Sequence, residues 1–396
     1  MAKAEQIRKS LSGNEAVATV MMQINPDVMA AFPITPSTEV PQYFSSFVAN
    51  RQCTTEFVPV ESEHSAISAC IGASGAGARV FTATSANGLA LMHEMLYIAA
   101  GDRLPVIIAA VNRALSSPIN IHNDHSDTMG ERDTGFIQIY AENVQEAYDN
   151  FIQTVKIAEH QEVMTPAMVC YDGFITSHAV ENFCMLNKED VEDFVGENKR
   201  VEDALLGKEN KLIGALGLQD VYMEMKRQQL EGLLNAKKVC LDVAKEFEEL
   251  TGRKYGLFEE YKLDDADYAI VIIGSSAGTA KKAIDDLRIK GVKAGLLKIR
   301  LFRPFPSEEI AEALKNAKAI AIMDKSEGMS GNGGPLYTDV VSSLYGRSNN
   351  KIIMSFIYGL GGRDVRVSSI EKVYNELQNA VKTGKYKRHN YLEVRE

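Results

Sequence analysis

A chain of 396 residues, 45% hydrophobic and 24% charged, is too long for one ordinary core and has the balance of a globular protein with two domains. Its formal net charge of −10 argues against a general nucleic-acid binder, whose affinity rests on cationic contacts to phosphate. No apolar run is long enough to span a bilayer, and the opening residues lack the apolar core of a signal peptide, so a cytoplasmic location without membrane or nucleic-acid partners is expected.

In chain order, residues 14–22 read as a helix and the apolar run 28–32 as a short buried strand, stopped by Pro33, which has no ladder donor. Thr35-Pro36 has the form of a helix start, a hydroxyl followed by a proline with preset φ; Pro41 moves that start toward Ser37 or Thr38 as the capping residue. Further strands are expected at 56–60, 80–84, 105–111 and 167–171, separated by helices over 64–77, 89–99 and 144–159. The 64–77 helix is so rich in glycine, alanine and serine that close packing on a neighbour is expected. The 105–111 run is apolar throughout, as a parallel strand covered on both faces should be. The βα alternation implies a parallel sheet. Residues 182–211 are densely charged without periodicity, and 220–250 has helical spacing; together they read as a connector. A second alternating region follows Asp264-Asp265, with strands at 268–274, 294–299, 319–323 and 352–357, a last helix over 365–383 and an exposed basic tail at 385–388. The expected division is 1–250 and 251–396.

The five cysteines, Cys53, Cys70, Cys170, Cys184 and Cys240, are scattered, with no Cys-x-x-Cys pair. They are expected to be reduced structural thiols, ligating neither zinc nor an iron–sulfur cluster.

Sites in parallel α/β sheets form at the carboxyl ends of the strands. In the first domain those ends carry Thr35, then Glu61, Glu63 and His64, then Ser85 and Asn87, then Asn112 and Arg113, then Asp172. Arg113 follows an apolar strand with nothing in it to neutralise the charge. It is suited to bidentate capture of a small carboxylate, or equally to pairing with Asp124 or Asp127. Of Glu61 and Glu63, one is expected at the solvent and the other desolvated and fit for proton exchange, unless Glu63 is simply an exposed acid favoured by a helix start. His122-Asn-Asp-His125-Ser-Asp127 mixes histidines and acids but reads as a hydrogen-bonded loop rather than a metal site. The glycines of Tyr358-Gly-Leu-Gly-Gly-Arg-Asp364 permit close approach of another backbone or a phosphate, or make an ordinary tight turn.

Several stretches occur in order over both domains: Phe32-Pro-Ile-Thr-Pro-Ser-Thr38, Val60-Glu-Ser-Glu-His-Ser65, Thr82-Ala-Thr-Ser-Ala-Asn-Gly-Leu89, Asn112-Arg-Ala-Leu-Ser116, Asp124-His-Ser-Asp127 with Arg132-Asp-Thr-Gly135, Asp172-Gly-Phe174, Arg303-Pro-Phe-Pro306 and Gly359-Leu-Gly-Gly-Arg-Asp364. In these the chain resembles the α subunit of 2-oxoacid:ferredoxin oxidoreductases, most closely the pyruvate enzymes. The resemblance implies an α/β chain of two parallel-sheet domains, a pyrimidine-binding thiamine diphosphate fold followed by a transketolase C-terminal-like domain. It implies reversible oxidative decarboxylation of pyruvate to acetyl-CoA and CO2, with coenzyme A as acyl acceptor and ferredoxin as electron acceptor.

By the same resemblance Glu63 is the cofactor-activating glutamate that hydrogen-bonds the aminopyrimidine ring. Arg113 holds the substrate carboxylate and Thr35 contacts the substrate, while Asp172-Gly-Phe has no assigned chemistry. The Gly-Asp-Gly…Asn-Asn pattern that binds the diphosphate through a metal is absent, since Asn349-Asn350 has no such partner upstream. The chain is therefore expected to bind no metal, and alone to be silent. A β subunit would supply the diphosphate and Mg half of the site, and further γ/δ-type subunits the [4Fe-4S] clusters. Alternatives are the same chemistry on 2-oxoglutarate or a branched-chain 2-oxoacid, on oxalate (which would want a second cation where Thr35 is neutral), or a non-catalytic assembly subunit.

Overall fold

The computed structural model describes residues 4–198, 212–347 and 351–395; residues 199–211 of the charged stretch and the Asn349-Asn350 pair lie outside them. The strands in chain order are β1 (Gln6–Ser12), β2 (Val28–Ala31), β3 (Glu56–Pro59), β4 (Val80–Thr84), β5 (Ile107–Asn112), β6 (Ile137–Tyr140), β7 (Ala167–Asp172) and β8 (Val180–Leu186). They continue as β9 (Phe258–Tyr261), β10 (Tyr268–Ile273), β11 (Ala294–Ile299), β12 (Leu301–Arg303), β13 (Ala319–Asp324), β14 (Ile352–Ile357) and β15 (His389–Tyr391).

The five strands expected in the first half share one sheet, in the order β12-β6-β7-β5-β4-β2-β3. All its pairings are parallel except that of β12 with β6. Every residue of β4, β5 and β7 is buried, which is why β5 and β7 read as apolar runs. The second sheet has the order β15-β14-β13-β10-β11-β9, parallel apart from β9. Apolar residues from both sheets, among them Tyr140, Met168 and Phe302 of the first with Leu297 and Ile320 of the second, form one continuous core between them.

Several expectations are corrected. The loop before 144 contains β6, a strand of four residues interrupted by the polar Gln138. That side chain stays buried because its amide donates to the Thr128 carbonyl at 2.9 Å. Residues 180–186 are not patternless connector: β8 pairs antiparallel with β1, burying only Phe183 and Leu186 and drawing its partner from the start of the chain. A helix, Lys188–Val195, follows, capped by Asn187. The helix expected at Thr35 begins only at Glu39, after a turn; Ser37 Oγ donates to the Ile34 carbonyl instead of capping, and Thr38 makes no cap bond. The 89–99 helix is two helices, Ala86–Leu91 and His93–Gly101, that meet at Met92.

Gly72 in the small-residue helix Glu63–Gly75 faces open space, so close approach is not its reason. The helix Tyr222–Thr251 buries Ala236, Val239, Cys240, Val243 and Phe247 and packs against Val144–Ala158. All five cysteines are free; burial pushes the Cys70 thiol up to about 12. Among the described residues no helix is long and apolar enough to cross a membrane.

Candidate active site

The carboxyl ends of β7, β5, β4, β2 and β3 lie side by side, so every polar group singled out in the first domain belongs to one rim. The helix Glu63–Gly75 starts there, capped by Ser62, whose Oγ accepts from the Ser65 amide at 3.1 Å. The two neighbouring glutamates part as expected. Glu61 is exposed and accepts from Ser65 Oγ at 2.7 Å, a bond that lowers its pKa. Glu63 is 7% exposed and, among the described residues, its carboxyl has no hydrogen bond or ion pair. The reading of Glu63 as an exposed helix-start acid is therefore corrected: it opens its helix, but from inside.

Gly88 packs against Glu63. A Cβ at position 88 would lie 2.6 Å from both Glu63 Oε1 and Thr84 Oγ1. Among the described residues, the hydroxyls of Thr82, Thr84 and Ser85 and the amide oxygen of Asn112 are buried without partners in and just after β4 and at the end of β5. Natural interiors seldom leave such groups unpaired. An unpaired buried carboxyl beside orphaned hydroxyls fits a polar heteroaromatic ring such as the aminopyrimidine of thiamine diphosphate. Gly88→Ala should displace the Glu63 carboxyl and lower turnover of the assembled enzyme on the order of 10²-fold, the effect of an ångström-scale misplacement of a reacting group. Steady-state kinetics beside a thermal melt would check this.

Arg113, directly after β5, is 7% exposed. Its Nε donates to the Asn120 carbonyl at 3.1 Å and its Nη1 to the Thr35 carbonyl at 2.8 Å. The alternative pairing with a local aspartate does not form. Asp127 accepts from the backbone N–H of Arg113 at 2.9 Å, and Asp124 accepts from Ser126 and from the Gly361 amide. Among the described residues no carboxylate pairs with the guanidinium and its Nη2 has no partner. A buried cation held only by carbonyls is suited to an anion from outside the chain. Thr35 and Arg113 are thus brought together, but through the Thr35 carbonyl, with the Thr35 side chain exposed.

The His122–Asp127 stretch is the expected hydrogen-bonded loop, and it reaches further than the sequence suggested. His125 donates from Nε2 to Asp172 Oδ1 at 2.8 Å, while Asp172 Oδ2 accepts from Lys325 Nζ at 2.6 Å and from the Ser275 amide at 3.0 Å. Asp172, His125 and Lys325 are all buried. Burial disfavours the charge on Asp172, yet the Lys325 ammonium and His125 hold its pKa well below the usual carboxylate range. Asp172 ends β7, and Lys325 follows β13, so this cluster joins the two sheets behind the Arg113 rim. Lys325 and Ser275 were missed. The signal was present, since Lys325 follows an apolar strand just as Arg113 does. Both readings of the 359–362 glycines hold: Gly359, Gly361 and Gly362 all have positive φ, as a tight turn requires, and a Cβ on Gly361 would also collide with the Asn120 side chain and one on Gly362 with His122.

Among the described residues one acidic trio, Glu142, Glu146 and Glu259, has ligand spacing. It is occupied by lysine: Lys298 Nζ bonds all three, and Lys281 shares Glu142 and Glu259.

Residues 19–245 match the family model for the thiamine-diphosphate-binding domain of pyruvate flavodoxin/ferredoxin oxidoreductase, and residues 266–370 that for core domain II of pyruvate:ferredoxin oxidoreductase. The chain is 50% identical to the pyruvate synthase subunit PorA of Thermotoga maritima, over 94% of this chain and 95% of that one. It is 42% identical to the ketoisovalerate oxidoreductase subunit VorA of Pyrococcus abyssi, over 98% of each. A solved 2-oxoglutarate:ferredoxin oxidoreductase from Magnetococcus marinus, with 2-oxoglutarate, coenzyme A and succinyl-CoA bound, superposes with a TM-score of 0.72 at 22% identity. That match covers 94% of this chain and 65% of the larger one, and shows the shared fold. With one family model over more than half of its length and a relative 50% identical across nearly all of it, the chain belongs to the pyruvate flavodoxin/ferredoxin oxidoreductase family.

Proposed function

We propose that this chain is the α subunit of a cytoplasmic pyruvate:ferredoxin oxidoreductase, contributing the pyrimidine half of a thiamine diphosphate pocket and the anchor for the substrate carboxylate. The observation that carries this reading is the placement, on the rim of one parallel sheet, of two buried groups of opposite charge type, Glu63 and Arg113, neither of which has an ion-pair partner among the described residues. The strong likeness to pyruvate synthase subunits supports pyruvate as substrate.

Thiamine diphosphate, when bound, supplies the nucleophilic carbon that adds to a 2-oxoacid carbonyl and holds the electrons left when CO2 departs. Glu63 would share a proton with the aminopyrimidine nitrogen, and burial keeps that proton from water. Arg113 binds the substrate carboxylate through its free Nη2, already oriented by the Thr35 and Asn120 carbonyls, so little side-chain freedom remains to be lost. The Thr35 hydroxyl, at the exposed edge of the same loop, borders the acyl group.

Mg and the diphosphate would sit on a β subunit, and [4Fe-4S] clusters on γ/δ-type subunits that pass electrons to ferredoxin, with coenzyme A accepting the acyl group. The division at 250/251 follows the start of the second sheet, although β12 crosses back to the first. The likeness to VorA favours a branched-chain 2-oxoacid as the second reading. Oxalate is disfavoured because a dianion would want a second cation beside Arg113, and Thr35, which lies there, is neutral.

A panel of 2-oxoacids on the assembled complex, with a viologen acceptor, tests the assignment; highest kcat/KM on a branched acid would replace pyruvate. Arg113→Ala should raise KM for pyruvate about 10- to 100-fold, the worth of a hydrogen bond to a charged group of about 1.5–3 kcal/mol. An unchanged KM would remove Arg113 from substrate binding.

A further inference from the structure

Asp127 is buried and among the described residues has no cationic partner, yet four donors converge on it. Its Oδ2 accepts from the backbone amides of Ala86 at 3.0 Å and Arg113 at 2.9 Å. Its Oδ1 accepts from Asn112 Nδ2 at 2.9 Å and from the Thr128 amide at 2.7 Å. The first two donors lie on different strand ends. Arg113 follows β5; Ala86 follows β4 and opens the short helix whose Gly88 packs on Glu63. Ala86 also has φ 46, a left-handed conformation uncommon for alanine. Such a backbone persists where surrounding contacts over-determine it, and they gather at functional sites.

We propose that Asp127 is a positioning residue, one buried carboxylate that sets the spacing between the Arg113 loop and the Gly88–Glu63 contact and so fixes the substrate anchor relative to the cofactor-facing acid. This rests on the roles assigned above to Glu63 and Arg113. A neutral residue would serve a mere helix cap, and the helix Ser126–Gly130 is only five residues long. Burial pushes the Asp127 carboxyl up to about 6 despite its four donors, so the fold retains it against an electrostatic cost. That cost is consistent with a geometric rather than a stabilising role.

The test uses the assembled complex. Asp127→Asn keeps the volume but turns an amide N–H toward one pair of donors. It should raise KM for pyruvate and lower kcat together, at least tenfold in kcat/KM, and speed amide hydrogen exchange in peptides covering 82–92 and 111–116. In an Arg113→Lys background the same change should alter KM less than twofold, because the position it sets is already spoiled. An equal effect in both backgrounds, unaltered exchange, or kinetics within twofold of wild type would overturn the proposal. Asp127→Glu, which keeps the charge and lengthens the arm by one methylene, should reproduce the kinetic loss. Failure of both variants to assemble would also overturn it, leaving Asp127 a purely folding role. Failure of the wild-type complex to turn over any 2-oxoacid would instead sink the proposed function.

Discussion

Glu63→Gln in the assembled complex should lower pyruvate turnover about 10²- to 10⁴-fold, the range that a positioned general acid or base contributes, while leaving the melting temperature essentially unchanged. Both halves follow from the same geometry. Among the described residues the Glu63 carboxyl has no partner to lose, and the amide has nearly its shape, so packing against Gly88 and Thr84 is kept. A buried carboxyl without a cation is also no source of stability. What the amide cannot do is exchange a proton with a ring nitrogen. Thiamine diphosphate affinity, measured by calorimetry, should change far less than turnover, since ring contacts with the rim persist. Turnover within twofold of wild type would show that Glu63 activates nothing. A large fall in melting temperature would show that it is instead structural, with a partner supplied by another chain.

The parallel sheet and its strand ends were legible because strands buried on both faces, β5 and β7 above all, leave apolar runs that end abruptly in polar residues. Arg113 stood out for the same reason. Three kinds of feature were not legible. β6 and β12 are four and three residues long, too short for a periodic signal, and β12 joins the sheet from beyond the second domain's start. β1 and β8 are surface strands whose pairing joins segments nearly half the chain apart. The partners of polar residues were the third kind. Asp127 was a candidate for the Arg113 guanidinium because opposite charges at that spacing suggest an ion pair, whereas the fold turns its carboxylate to the backbone of the same residue. Asp172 had no assigned chemistry because its partners, Lys325 and Ser275, come from the other sheet. Sequence shows which groups need a partner; tertiary structure decides which partner they receive.

Lys325→Met should destabilise the chain by about 3–5 kcal/mol, the cost of removing one member of a buried ion pair and leaving the other uncompensated. Asp172 is wholly enclosed, and its remaining donors would be His125, the Ser275 hydroxyl and amide; the amide and hydroxyl are dipoles that cannot replace an ammonium at 2.6 Å. Because this cluster joins β7 to β10 and β13, the loss should appear as earlier separation of the two sheets in urea, followed by tyrosine fluorescence and circular dichroism. Acid should act in the same direction. Asp172's folded pKa lies below its ordinary value, so its contribution is present above the unfolded pKa of about 3.9 and is lost as pH falls toward the folded one. In Lys325→Met that acid dependence should weaken, since the first of the two groups that depress the pKa is gone and only His125 remains. Asp172→Asn combined with Lys325→Met should recover part of the single variant's loss, because no charge is then left buried. A Lys325→Met chain with an unchanged urea midpoint would mean that the apolar core between the sheets, rather than this ion pair, holds the seam. Asn112, the last residue of β5, lies opposite Asp172 in the sheet register. Any shift at the seam would therefore reach Arg113 through one neighbouring strand, and activity should be lost at lower urea than the sheets themselves.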